Sequence, residues 1–102
     1  MTLFETLNEL KNFLNKNNIN KEEFITKLLG AITKAMRLMH HATDKATFDD
    51  IVKLIAYYTA DGDENLASLI NSLINAYVSV AKSLGEENAT YFKDIITYYL
   101  QK

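Results

Sequence analysis

Apolar residues recur at three- and four-residue intervals along nearly the whole chain, the period of an α-helix with one greasy side. The longest run holds Leu66, Leu69, Ile70, Leu73, Ile74, Tyr77, Val78, Val80, Ala81 and Leu84. Asp63 stands where its carboxylate can accept from the free amides of a first helical turn. Gly85 stands where a left-handed residue would stop the helix. The segment 64–84 therefore reads as a central helix roughly 30 Å long, enough to cross a small domain.

The same period marks four more helices. Leu3, Phe4, Leu7, Leu10 and Leu14, with Phe13 at the edge, predict one over 3–16, opened by a capping box of Thr2 and Glu5. Phe24, Ile25, Leu28, Leu29, Ile32, Ala35, Met36 and Met39 predict a second over 21–41, capped by Asn20 with Glu23. Ile51, Val52, Leu54, Ile55 and Tyr58 predict a helix over 48–60, capped by Thr47 with Asp50. The last, 89–100, follows Asn88 and carries Tyr91, Phe92, Ile95, Ile96, Tyr98, Tyr99 and Leu100. Without proline and with only three glycines, the chain reads as helices joined by short turns. The expected fold is all-α: a single domain, 1–102, folded as a compact bundle of about five amphipathic helices.

The side of the central helix away from its apolar stripe is unusual. It carries Ser68, Asn71, Ser72, Asn75, Ser79, Lys82 and Ser83, of which only Lys82 is charged. Solvated helix faces favour Lys and Glu, whereas Ser and Asn compete for backbone hydrogen bonds and weaken the helix. Small neutral side chains cost little to desolvate, which predicts a contact face at Ser68, Ser72, Asn75 and Ser79. Tyr98 and Tyr99 are added to it, since tyrosine suits a half-wet interface. Tyr91, Phe92, Ile95 and Ile96 are expected to close the bundle instead.

Lys27, Lys34 and Arg37 line one side of the second helix, with Gly30 and His41. Three cations in a row can hold phosphate. Specific nucleic-acid recognition adds base-reading side chains or aromatic platforms, and none stands beside this row in the sequence, so a solvated face is the plainer reading. Gly30 costs about 1 kcal/mol relative to Ala in mid-helix and is expected to admit a close-packed neighbour. His40, His41, Asp44, Asp49 and Asp50 have the chemistry of metal ligands. Adjacent histidines diverge on a helix, however, and a histidine-rich helix end suits the dipole, so no metal site is expected. Asp61, Asp63 and Asn65 match the opening of a calcium loop, but Leu66 and Ser72 occupy the positions of its glycine and glutamate. A turn made by Gly62 is the better reading.

Composition narrows the classes further. Hydrophobic residues make up 48% and charged ones 24%, as in ordinary globular domains. There is no cysteine, so thiolate chemistry and disulfides are excluded. No apolar run approaches a membrane span, the opening residues predict no cleaved signal peptide, and the cytoplasm is the default location. The net charge of −2 divides into a mildly basic first half and an acidic second half, too weak a split to predict nucleic-acid binding. Heavy use of Asn, Lys, Ile and Tyr favours a microbial or viral source. No catalytic motif or cofactor signature is present, and no charge falls squarely on a buried stripe. The expected role is a non-enzymatic interaction module, forming a homodimer or binding a protein partner. The alternative is a small nucleic-acid-associated protein using Lys27, Lys34 and Arg37.

Overall fold

A computed structural model describes residues 2–41 and 44–102. They form five helices: α1 (Leu3–Lys16), α2 (Lys21–His41), α3 (Lys45–Thr59), α4 (Glu64–Leu84) and α5 (Glu86–Gln101). No strand is present among the described residues. The chain's Cα radius of gyration is 12.9 Å, as expected of a packed domain of about 100 residues.

Among the described residues, α4 packs against all four other helices. Its stripe supplies the middle of the core, with Ile70, Leu73 and Ile74 fully buried. Leu7, Leu10 and Leu14 of α1, Leu28 and Ile32 of α2, Val52 of α3, and Ile96 and Leu100 of α5 close around it. Each such side chain contributes about 1.5–3 kcal/mol by leaving water. Despite the short connection between them, α1 packs chiefly on α4 and α5 rather than on α2.

Local chemistry sets the boundaries. The Glu5 amide donates to Thr2 Oγ1 at 3.2 Å, the Glu23 amide to Asn20 Oδ1 at 3.1 Å, and the Leu66 amide to Asp63 Oδ1 at 2.9 Å. Two starts differ from expectation. Asp44, not Thr47, caps α3: its Oδ1 accepts from the Thr47 amide at 2.8 Å, and Thr47 Oγ1 donates to its Oδ2 at 2.9 Å. The helix thus begins three residues before Phe48. At the other place, Asn88 does not cap α5. Its Nδ2 donates back to the Leu84 carbonyl at 2.6 Å, which helps to finish α4, and α5 starts directly after Gly85. With φ +92° and ψ 158°, Gly85 occupies a region essentially closed to other residues. That conformation reverses the chain from α4 to α5 in one residue.

Gly30 has no atom within 4 Å of where a Cβ would sit, so the close-packed neighbour expected there is absent. Gly62, at φ +82°, does serve the turn between α3 and α4, beneath the Tyr57 hydroxyl.

Candidate functional site

Every large apolar residue of α5 was expected to face either the core or a contact surface, and the structure divides them sharply. Phe92, Ile96 and Leu100 are buried against α4 and its neighbours. Tyr91, Ile95 and Tyr98 stand on the outer side, 68%, 45% and 63% exposed. Their four- and three-residue spacing makes them one row along the helix. Tyr91 and Ile95 therefore do not close the bundle. The apolar arc of α5 is wider than the surface its neighbours cover, and its outer edge is left in water. Tyr99 is partly buried: its ring lies 6.2 Å from that of Phe4 and 5.6 Å from Lys11 Nζ. Phe4 is itself 62% exposed and extends the apolar surface from α5 onto α1. Lys102 Nζ sits 5.0 Å from the Tyr98 ring centroid, while Glu86 and Glu87 occupy the first turn of α5. The row thus runs between an acidic end and a basic one.

The neutral residues of α4 separate into two groups. Ser68, Ser72, Asn75 and Ser79 are all exposed on the single chain. Asn75 and Ser79, with Asn71 and Lys82, also line a groove of about 330 Å³ against α3. Ser68 and Ser72 lie outside that groove.

Of the three cations on α2, Lys27 approaches Asp61 at 3.5 Å, so the start of the α3–α4 turn meets part of its charge. Lys27 and Lys34 share a second groove, about 410 Å³, with Gly30, Ile55 and Tyr58. Arg37 is not part of its lining. Tyr58 is 76% exposed. The aromatic group missing from the α2 sequence is therefore supplied by α3, where no spacing within α2 could reveal it.

A third and larger cleft, about 800 Å³, lies where the α1–α2 and α3–α4 connections meet. Phe13, Ile19, Phe24 and Leu66 contribute its apolar surface, and Glu22, Glu23, Asp61 and Asp63 its acids. Each acid already has a structural role. Asp63 caps α4, Asp61 meets Lys27, and the two glutamates sit in the first turn of α2, where the helix dipole favours them.

The histidine and aspartate candidates disperse. His40 meets Glu86 across to α5, Asp44 caps α3, and Asp49 pairs with Lys45 at 2.8 Å. Among the described residues, no three His, Asp or Glu side chains gather as metal ligands would. No described helix is long and apolar enough to cross a membrane.

No family model, curated protein or solved structure matches this chain.

Proposed function

We propose that this chain is a non-enzymatic helical interaction module that pairs with a second copy of itself through the outer face of α5. The observation that carries the proposal is the exposed row Tyr91–Ile95–Tyr98, continued by Phe4 through its contact with Tyr99. Tyrosine and phenylalanine each bury about 150–250 Å² when covered, so these partly exposed side chains make a patch on the order of 500 Å². Monomers seldom leave a larger one open without using it. A specific interface buries about 800 Å² on each partner. The row supplies more than half of that, which suits a reversible dimer in the micromolar range.

A second copy is the favoured occupant because the row complements itself. Two α5 helices laid antiparallel place the tyrosines of one against Ile95 of the other, in the same contact made twice, as a two-fold dimer requires. That arrangement also brings the acidic start of each α5 near Lys102 of the other, and it opposes the two helix dipoles. Tyrosine hydroxyls can stay wet at the rim.

Sedimentation velocity on three proteins tests the reading. The wild type should sediment as a dimer at tens of micromolar, Ile95→Asp as a monomer, and Ser72→Arg as the wild type does. Dimerisation lost in Ser72→Arg but kept in Ile95→Asp would move the interface to the neutral face of α4. A wild-type monomer throughout would end the proposal.

The nucleic-acid reading is favoured by one observation, the exposed Tyr58 beside Lys27 and Lys34. An aromatic face flanked by cations suits a single strand, whose bases stack while its phosphates meet the lysines. Binding of a labelled oligonucleotide should then weaken steeply with salt and disappear in Tyr58→Ala. Lack of binding even at low salt would remove this reading.

A further inference from the structure

We propose that the groove between α3 and α4 binds a small, multiply charged oxyanion such as a pyrophosphate-bearing or polycarboxylate molecule. The groove joins two features that have no evident use in the fold. One is the run of small neutral residues on α4, of which Asn71, Asn75 and Ser79 line it. The other is a local excess of positive charge. Lys45, Lys53 and Lys82 share this lining with a single carboxylate, Asp49, on a chain whose overall charge is −2.

The lysines are only partly engaged. Lys45 pairs with Asp49 at 2.8 Å. Lys82 Nζ lies 5.7 Å from the Phe48 ring centroid, and Lys53 has no ion-pair partner among the described residues. Two cations are thus left to face an anion. The lysine ammonium groups carry donors alone, and the Asn amide nitrogens and Ser hydroxyl between them can donate as well, which is what an oxyanion needs.

Asn71 lines the same groove. Its Oδ1 is buried without a hydrogen-bond partner, the only such side-chain atom among the described residues. Buried polar groups are nearly always paired, and each exception calls for an explanation. Oδ1 is an acceptor and cannot itself meet an oxyanion, so Asn71 serves the site only through its Nδ2 donor.

Size and lining decide between a small molecule and a polymer. At about 330 Å³ the groove is at the lower end of small-molecule sites. Its one aromatic ring, Phe48, is buried, so no base can stack there as on Tyr58.

Titration of the ¹⁵N-labelled full chain with sodium pyrophosphate tests the site, with sodium citrate as a second arm and sodium chloride of matched ionic strength as control. Saturable shifts are expected at the side-chain amides of Asn71 and Asn75 and the backbone amide of Ser79. Lys53→Glu with Lys82→Glu should weaken binding about tenfold or more, since charged hydrogen bonds carry most of the affinity. Should the double variant fail to fold, Lys53→Gln, which removes an exposed charge without a partner, provides the same reading with a smaller loss. The arm that saturates at lower concentration identifies the anion class. Shifts that chloride reproduces, that do not saturate, or that survive the lysine substitutions would overturn the proposal.

Discussion

Tyr77 of α4 and Phe92 of α5 meet edge to face, with ring centroids 5.6 Å apart and planes at 76°. Both are buried, and they fasten the last helix to the central one. Lys93 lies 5.8 Å from the Tyr77 ring centroid and donates from Nζ to Thr33 Oγ1 at 3.1 Å, so the same region also ties α5 to α2. Phe92→Ala should destabilise the fold by about 3–5 kcal/mol, read as a lowered midpoint in urea. An unchanged midpoint would mean that α5 is not seated on α4 as described.

The Tyr77 hydroxyl also gives a pH signature. Burial first, and the charge of Glu86 second, hold its pKa above the ordinary tyrosine value. An unfolded chain then loses this proton before the folded one does. The associated stability is complete below the unfolded pKa of about 10 and declines as pH rises through the folded value. Urea melts at pH 8 and above pH 10 should show that decline, and Tyr77→Phe should reduce it. Equal pH dependence in both proteins would contradict the burial of this group.

Two glycines should respond in opposite directions to the same substitution. Gly30 lies in mid-helix with open space where a Cβ would go, so Gly30→Ala should stabilise by about 1 kcal/mol. Gly85 holds φ +92° between α4 and α5, and Gly85→Ala should destabilise by about 1–3 kcal/mol. Thermal melts of the two variants beside the wild type measure both. Shifts of the same sign would contradict one of these two backbone environments.

Asp63 tests the start of the central helix. Its carboxylate accepts from the Leu66 amide, and Asp63→Ala should cost about 1 kcal/mol. Asp63→Asn keeps the acceptor and should retain most of the stability, so a comparable loss in both variants would argue against the cap.

Much of this architecture was legible in the sequence, because helical periodicity and caps are local properties. The run from Asp63 to Gly85 is bounded as its residues suggest, and its stripe is the middle of the core except at its end, where Leu84 is 64% exposed. Difficulty arose where two good capping residues compete. Asp44 and Thr47 both suit a helix start, and the hydroxyl of one donates to the carboxylate of the other. Asn88 likewise looks like a cap until Gly85 makes the connection alone. Surfaces were harder to read than elements. Spacing showed that α5 carries more apolar residues than one side of a helix needs, but not which edge its neighbours would leave uncovered. Tyr91 and Ile95 directly precede the buried Phe92 and Ile96, and only the packing of the neighbouring helices leaves them outside. Tyr58 beside Lys27 and Lys34 joins residues on different helices, which no single-helix pattern can show.

The pairing of two chains through α5 is tested most directly by isotope-filtered NMR on an equimolar mixture of ¹³C-labelled and unlabelled protein, at concentrations where sedimentation shows a dimer. Self-association through the outer row predicts intermolecular NOEs between the Ile95 methyls of one copy and the Tyr91 or Tyr98 rings of the other. Intermolecular NOEs confined to Ser68, Ser72 and their neighbours on α4, or none at all, would contradict it.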